Sequence, residues 1–197
     1  MYPKSLQQLI EEFKKLPGVG NKTAERYALK VLEWDSEKVN NFSNQLIKTK
    51  QNIRFCSNCG NFSEEELCTI CKDSNRDHSI IMVVSSPRDI LAIERLNEFK
   101  GLYHVTGGLI SPMNHIMPED LEIDSLVKKA QHNLKEVILA LNSTMEGETT
   151  SLYIARKLKD KVLVSHLAQG LPMGGQLEYT DELTLLRSLD NRKKIEV

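Results

Sequence analysis

The sequence contains no long apolar run, and no stretch approaches the ~18 consecutive apolar residues from which a membrane-spanning helix is built. It has no low-complexity tract either, and 27% of its residues are charged, as in soluble globular proteins. The N-terminal segment MYPKSLQQLIEEF lacks the basic start, the apolar middle and the small-residue cleavage site of a signal peptide. We therefore expect a cytoplasmic protein that does not associate with a membrane.

The sequence also lacks a phosphate-binding loop of the form GxxxxGK followed by Ser or Thr, so it gives no support to an ATPase. The net charge of −1 argues neither for nor against a nucleic-acid partner, but the charges are unevenly distributed. Residues 1–55 carry a net charge of +4, residues 56–79 carry −3 and residues 80–197 carry −2. The basic excess thus lies in the N-terminal part of the chain, where a nucleic-acid motif also occurs.

Helical periodicity marks residues 1–55. We expect two helices separated by the helix-breaking segment Pro17–Gly20, and a third helix with Ser36 as its N-cap. The apolar residues expected to face a core are Leu6, Leu9, Ile10 and Phe13 in the first helix, Ala24, Tyr27, Ala28, Val31 and Leu32 in the second, and Val39, Phe42, Leu46 and Ile53 in the third.

The segment LPGVGNKTA at residues 16–24 is typical of a helix–hairpin–helix. Gly18 and Gly20 allow the backbone to approach a phosphate closely, and the following helix N-terminus adds its positive dipole end. Lys22 and Arg26 lie four residues apart on one face of that helix, where both can reach the same DNA backbone. These four residues therefore predict DNA binding that is independent of base sequence and sensitive to salt. A second interpretation stays open, in which the turn only packs two helices or joins two subunits.

Four cysteines follow with the spacing CxxC, eight residues, CxxC, and they are the only cysteines of the chain: Cys56, Cys59, Cys68 and Cys71. Each pair can wrap one metal ion, and two pairs complete a tetrahedral four-thiolate zinc site. Because all four positions are filled by protein, we expect a structural zinc rather than a catalytic one. The alternative is two disulfides, which a cytoplasmic location disfavours.

From residue 80 onward, segments typical of strands alternate with segments typical of helices. This alternation predicts a small parallel α/β sheet. Ile80–Val84 is a β-branched apolar run suited to a buried strand. Ser86 and Pro87 start a helix that we expect to turn Leu91 and Leu96 inward. The further strands are expected at 102–105, 137–141 and 161–165, and the further helices near 125–135, 148–159 and 181–189.

The expected carboxyl ends of these strands carry small polar and acidic groups, and ligands of parallel sheets gather at such an edge. These groups are Ser85-Ser86, Thr106-Gly107-Gly108 and the segment 142–148. Glu146 and Glu148 are candidates for weak Mg²⁺ binding or a partner contact, although acidic residues at a helix start also simply favour the helix dipole. The long loop 106–120 is either functional or a variable surface excursion.

This order of helix–hairpin–helix, four-cysteine module and α/β domain resembles the RecR family of recombination mediators along essentially the whole chain. The stretches that carry the resemblance are LPGVGNKTAERYA, FCSNCGNFSEEELCTIC, NRDHSIIMVV, YHVTGGLISPM, PEDL, EVILALN, MEGETTSLYIA and GLPMGGQLEYTDELTL. The resemblance implies domains at 1–55 (helix–hairpin–helix), 56–79 (zinc module) and 80–165 (toprim-like, as in primases and type I topoisomerases), with a C-terminal segment at 166–197.

Toprim enzymes need a glutamate after the first strand and an Asp-x-Asp pair for Mg²⁺. This sequence has Ser85-Ser86 at the first place and Glu146-x-Glu148 at the second. Because a serine of ordinary pKa does not replace a carboxylate in proton transfer, we expect no catalytic residue. The C-terminal segment departs from the family pattern at His166, Gln169, Gln176 and Asn191, which puts a nucleotide-related or partner-contacting role of that segment in doubt.

The resemblance further implies a ring-like homotetramer around DNA that works with RecO, and in some organisms RecF, to load RecA on DNA coated by single-strand-binding protein. Two other hypotheses stay open at this point. One is a toprim nuclease or topoisomerase-like enzyme, and the other is a zinc-stabilised protein-interaction module.

Overall fold

The computed structural model describes residues 2–131 and 134–194, and the chain divides into two compact units. The first unit extends to Ile53 and the second begins at Arg54.

Three helices form the N-terminal unit: α1 (Lys4–Lys14), α2 (Asn21–Leu32) and α3 (Ser36–Asn52). The first two pack against each other through Leu6, Ala24 and Ala28, which are buried, and through an edge-to-face contact of Phe13 and Tyr27 with ring centroids 5.7 Å apart. The small alanines let the two helices approach closely, and this confirms the two amphipathic helices predicted around the glycine turn.

The third helix corrects two predictions. Its N-cap is Asp35 rather than Ser36, because the Asp35 carboxylate accepts a 2.7 Å hydrogen bond from the Lys38 N–H. Its apolar residues also do not enter a core: Phe42, Leu46 and Ile53 are exposed, Val39 is only half-buried, and no residue of α3 is buried. The helix is amphipathic as expected, but among the described residues of the N-terminal unit none covers its apolar face.

The C-terminal unit opens with the cysteine segment. A short antiparallel hairpin pairs β1 (Arg54–Phe55) with β2 (Phe62–Ser63), and the one-turn helix α4 (Thr69–Lys72) follows. The four cysteines themselves form the buried centre of this segment, together with Leu67 and Ile70. A core this small needs a metal ion or a cross-link to hold it.

A four-stranded parallel sheet in the order β4-β3-β5-β6 forms the centre of the C-terminal unit. Its strands are β3 (Asp77–Val84), β4 (Gly101–Val105), β5 (Glu136–Leu139) and β6 (Leu163–His166). The helices around it are α5 (Pro87–Glu94), α6 (Ile123–Lys129), α7 (Met145–Leu158) and α8 (Glu182–Asp190). This architecture confirms the predicted α/β class, and each predicted strand is present with its bounds shifted by a few residues at most.

The helix after the first strand starts as predicted but faces differently. Ser86 caps α5 by accepting a hydrogen bond from the Arg88 N–H, and Pro87 occupies the first turn. The prediction that Leu91 and Leu96 face inward is wrong, since both are exposed and Ile90 is fully buried instead. The helix ends at Glu94, so Leu96 lies beyond the helical register on which that prediction rested.

The loop 106–120 is held by contacts within it and by a contact with α7. Ser111 and Ile116 form an isolated β-bridge, and the Ile110 N–H donates to the buried Thr150 hydroxyl of α7 at 2.9 Å. The predicted helix near 125–135 is α6, which ends at Lys129, and residues 132–133 of that prediction lie outside the described residues. In the part of the chain that the structure describes, no helix has the length and apolar character needed to cross a membrane.

Candidate functional site

The turn between α1 and α2 presents backbone N–H groups at its tip. Gly18 adopts a left-handed conformation with φ of +76°, and the Val19 N–H closes the turn on the Leu16 carbonyl at 3.1 Å. Gly20 is the N-cap of α2, and no side chain caps the helix there. The first N–H groups of α2 therefore remain available to an external acceptor such as a phosphate oxygen.

Lys22 and Arg26 lie on α2, where both side chains are exposed. Neither has a carboxylate within 4.0 Å among the described residues, whereas the nearby Lys30 pairs with Glu33. Arg26 also lies over the Tyr27 ring, 5.7 Å from its centroid. The structure thus places two unneutralised cations directly after the glycine turn, one helical turn apart.

The sulfur atoms of Cys56, Cys59, Cys68 and Cys71 all lie within 4.8 Å of one another, and the cysteines are buried and not disulfide-bonded. The Cys59 and Cys68 sulfurs are 3.5 Å apart. Zinc–sulfur bonds of about 2.3 Å in a tetrahedron place the sulfurs roughly 3.8 Å from one another. The four thiols therefore fit a zinc ion with little rearrangement, and the predicted disulfide alternative does not occur.

N–H groups donate hydrogen bonds to three of the four sulfur atoms in this cluster. The Cys59 sulfur accepts from the Asn61 backbone N–H at 3.4 Å, and the Cys56 sulfur accepts from the Cys68 backbone N–H at 3.3 Å. The Cys71 sulfur accepts from the Asn58 side-chain amide at 3.3 Å. Hydrogen bonding by Cys59 lowers the pKa of the Cys71 thiol to about 5, whereas the same hydrogen bond, with burial, raises the pKa of the Cys59 thiol, and burial raises the pKa of Cys68. The chemistry of the donor set identifies the module as a zinc site, as predicted.

The zinc segment is joined to the sheet by contacts that the sequence did not indicate. The Val105 N–H, at the end of β4, donates to the Cys59 carbonyl at 2.8 Å. The Lys129 ammonium, at the end of α6, donates to the Asn58 carbonyl and lies 3.1 Å from Nδ1 of His104. His104 is buried, and its Nε2 lies 2.6 Å from the Glu122 carbonyl.

These contacts fix the protonation of His104. Its Nε2 must carry the proton, because it faces a carbonyl, and its Nδ1 accepts from the Lys129 ammonium. Burial, aided by the charge of Lys129, lowers the pKa of His104 to about 4, so that the imidazole is neutral near pH 7. Burial also lowers the pKa of Lys129, and negative charge on the Cys59 sulfur acts in the opposite direction.

The carboxyl edge of the sheet holds one carboxylate beside the serines. Ser85 donates its hydroxyl to Asp89 at 2.8 Å, and the Ser86 N–H donates to the same Asp89 oxygen at 2.9 Å. Asp89 is therefore engaged as part of the capping box of α5.

The two candidate glutamates have different surroundings. Glu148 accepts from Arg187 of α8 at 3.1 Å and from Gln169 at 2.9 Å, whereas Glu146 is exposed. Within the described ranges, the four cysteines are the one group of three or more His, Cys, Asp or Glu residues with ligand atoms close enough for a metal. Mg²⁺ binding by the two glutamates stays a hypothesis. A Mg²⁺ ion at this place would compete with Arg187 for the Glu148 carboxylate.

Comparison with protein families covers almost all of the chain. The chain matches the models for the RecR helix–hairpin–helix at residues 6–50, the RecR four-cysteine zinc finger domain at residues 53–73, the toprim domain at residues 79–168 and the RecR C-terminal region at residues 170–193. The four matches follow one another in the order of the structural elements described above.

Several full-length relatives are also similar to this chain. The recombination protein RecR of Enterococcus faecalis is 46% identical over 196 residues, which cover 98% of this chain and 99% of the relative. The RecR of Synechococcus elongatus is 47% identical, with coverage of 99% and 98%. The RecR of Gloeothece citriformis is 46% identical, with coverage of 100% and 99%.

Proposed function

Because this chain belongs to the RecR family of recombination proteins, we propose that it is a non-catalytic, zinc-containing mediator of recombination and DNA repair that binds DNA without base specificity. Its helix–hairpin–helix (residues 1–55) holds the DNA, its zinc module (56–79) is structural, and its toprim-like domain (80–165), which the C-terminal segment (166–197) follows, performs no chemistry. The single observation that carries DNA binding is the pair of exposed cations beside the glycine turn.

DNA binding through Lys22 and Arg26 follows from their charge and position. Both ammonium and guanidinium groups are free of carboxylates in the described chain, so neither loses an internal ion pair when it meets a phosphate. The Gly18 turn lies directly before α2, and no side chain caps the N–H groups of the first turn of that helix. Contacts of this kind hold the sugar–phosphate backbone and read no base.

The absence of catalysis is supported by the way the acidic groups are used. Asp89 is the carboxylate beside Ser85, and it is engaged by two hydrogen bonds as a helix cap. Glu148 is engaged by Arg187 and Gln169. A general acid or base must be free to exchange a proton with the substrate, and neither Asp89 nor Glu148 has that freedom in this arrangement. Glu146 is exposed, but the position after the first strand, where toprim enzymes need a glutamate, holds Ser85.

The proposed partners are DNA, RecO and RecF, and the proposed outcome is the loading of RecA on DNA coated by single-strand-binding protein. We also propose a homotetrameric ring. The exposed apolar face of α3, with Phe42, Leu46 and Ile53, supports self-association, because an uncovered apolar stripe on a helix is a common site of subunit contact. Four reduced cysteines at one metal site fit a cytoplasmic location.

A double charge reversal tests the DNA-binding proposal. The variant Lys22→Glu/Arg26→Glu is expected to lose detectable binding to single-stranded and duplex DNA, measured by fluorescence anisotropy between about 50 and 200 mM salt. Each phosphate contact contributes a slope of about −0.9 in log affinity against log salt, so the wild type should show a steep salt dependence that disappears in the variant.

The matched control reverses two exposed lysines of α3, Lys48→Glu/Lys50→Glu, which changes the net charge by the same amount. This control should retain most of the affinity, and both variants should keep the zinc content and thermal stability of the wild type. Unchanged affinity and salt slope in the Lys22→Glu/Arg26→Glu variant would show that the hairpin is only an assembly element. Cleavage or relaxation of supercoiled DNA in Mg²⁺ that is lost on Glu146→Gln would instead identify a toprim enzyme.

A further inference from the structure

The side chain of Lys129 is the feature of the C-terminal unit that the proposed function leaves unexplained. It is half-buried at the end of α6, and it points to the zinc segment rather than to solvent. Among the described residues no carboxylate lies within 4.0 Å of its ammonium group. Partial burial of a cation without an acidic partner is costly, so the position of Lys129 needs a compensating negative charge.

The zinc site provides such a charge. Four thiolates around Zn²⁺ leave a net charge of about −2 on the cluster. Of the other cations close to the cluster in sequence, Lys72 pairs with Glu65, Arg76 pairs with Glu94, and Arg54 is exposed to solvent. Lys129 is therefore the basic group whose surroundings match it to the cluster.

The contact itself is specific. The Lys129 ammonium donates to the backbone carbonyl of Asn58, which lies between the ligands Cys56 and Cys59. The Asn58 side chain in turn donates to the Cys71 sulfur at 3.3 Å. A hydrogen bond to this carbonyl polarises the peptide group that continues into Cys59, so the positive charge reaches the ligands through one residue.

His104 keeps the ammonium in place. Its Nδ1 is 3.1 Å from the Lys129 nitrogen, and its Nε2 is held by the Glu122 carbonyl at 2.6 Å. The imidazole is buried between β4 and α6 and cannot rotate without breaking one of these bonds. The side chain of Lys129 therefore has a fixed orientation, unlike the side chains of exposed surface lysines.

We propose that Lys129 is the counter-charge of the zinc site: it offsets the negative charge of the zinc–thiolate cluster through the Asn58 carbonyl, and it slows the release of the metal. It is a positioning residue and not a ligand. The proposal rests on the zinc site alone and does not depend on DNA binding, so the two fail independently.

The test compares substitutions that separate charge from packing. Lys129→Met keeps the length of the side chain and removes the charge, Lys129→Gln removes the charge but keeps a hydrogen-bond donor, and Lys129→Arg keeps the charge with a different shape. Lys128→Met changes the adjacent exposed lysine and is the matched control. The full-length proteins are loaded with zinc, and the rate of zinc transfer to a chromogenic chelator is measured at about pH 7.5, where the ligands of a bound zinc are deprotonated.

We expect Lys129→Met and Lys129→Gln to release zinc about 10- to 100-fold faster than the wild type, in the range found when groups around metal ligands are removed. Lys129→Arg and Lys128→Met should release zinc at nearly the wild-type rate. The pH at which half the zinc is lost should rise in the two neutral variants, because protons compete more easily for sulfurs that have lost a nearby positive charge.

Zinc release from Lys129→Met at the wild-type rate would overturn the proposal. Slow zinc release from Lys129→Met together with fast release from Lys129→Arg would also overturn it, since that order indicates an effect of packing rather than of charge. If the neutral variants purify without zinc while Lys129→Arg retains about one zinc per chain, the requirement for charge is met at the folding step. If Lys129→Arg also purifies without zinc, charge is not sufficient and the proposal fails.

Discussion

At the scale of single residues, the two glycines of the turn between α1 and α2 differ in what requires them. Gly18 has a φ of +76°, a conformation that a residue with a Cβ adopts only at a cost of about 1–2 kcal/mol. Gly20 has a φ of −82° and a ψ of 175°, which any residue adopts, and a Cβ added there would meet nothing within 4 Å. The fold therefore requires glycine at position 18 but not at position 20, where close approach of a ligand is the remaining reason for it.

This difference gives a paired prediction. Gly18→Ala should lower the free energy of unfolding by about 1–2 kcal/mol, measured by denaturant titration. Gly20→Ala should lower that free energy by less, about 0.5 kcal/mol for the poorer N-cap, but weaken DNA binding about tenfold, the effect of losing one hydrogen bond to a charged group. Full DNA affinity in Gly20→Ala would remove the phosphate contact from the helix N-terminus and leave it to Lys22 and Arg26 alone.

Single residues also show where sequence reasoning reaches its limit. The four cysteines could be predicted as a zinc site because their spacing alone brings the sulfurs together. Lys129 and His104 could not be predicted, because their roles depend on contacts with Asn58 and Glu122, which are 71 and 18 residues away along the chain. Nothing in the local sequence distinguishes Lys129 from Lys128. The two lysines differ only in which side of α6 they occupy, and this depends on how the helix packs.

At the scale of elements, helix starts were easier to predict than helix faces. Ser86 followed by Pro87 fixed the start of α5, because a cap and a proline act within one turn of the chain. The inward face depends on how the helix lies on the sheet, and this turned Ile90 inward and left Leu91 exposed. The strands were predicted well because a buried parallel strand is apolar on both faces, so its orientation does not matter.

The contact between α7 and α8 leads to a prediction at this scale. Glu148→Gln removes the ion pair with Arg187, and the same loss follows from Arg187→Met. Both side chains are partly exposed, so the pair contributes no more than about 1 kcal/mol. We expect hydrogen exchange of the amides in 182–190 to become a few-fold faster in both variants, measured by mass spectrometry.

Glu146→Gln is the control for this experiment, because Glu146 is exposed and lies on the same turn of α7. Equal changes of the exchange rate in Glu146→Gln and Glu148→Gln would contradict a specific role of the Glu148–Arg187 ion pair in holding α8. If millimolar Mg²⁺ slowed the exchange in the wild type and not in Glu148→Gln, the glutamate would act as a metal ligand instead.

At the scale of the whole molecule, α3 is the helix whose apolar face the N-terminal unit leaves uncovered. Its 17 residues include none that is buried, although its sequence has a regular apolar face. An amphipathic helix obtains most of its stability from burying that face, so a second copy of the chain is the partner that this helix is expected to find.

The assembly prediction follows from this face. The wild type should have a mass of about 90 kDa by light scattering, four times the 22.4 kDa of one chain. Phe42→Ser/Leu46→Ser should reduce the mass and flatten the salt dependence of DNA binding, because fewer linked subunits neutralise fewer phosphates. Asn44→Ser/Lys48→Ser, on the opposite side of α3, should keep the wild-type mass. A wild-type mass in Phe42→Ser/Leu46→Ser would exclude this face from the interface.

The hydrogen bond from Val105 to the Cys59 carbonyl has a consequence beyond the zinc site. Strand β4 lies at the border of the sheet, and no other strand of the described residues pairs with its outer side. All five of its residues are buried, so its side chains give it none of the charges that usually deter foreign strands. The zinc segment covers the end of this border, because its Cys59 carbonyl accepts a hydrogen bond from the outward Val105 N–H. We therefore expect a shortage of zinc to leave this N–H group uncovered and to make the protein prone to strand addition and aggregation.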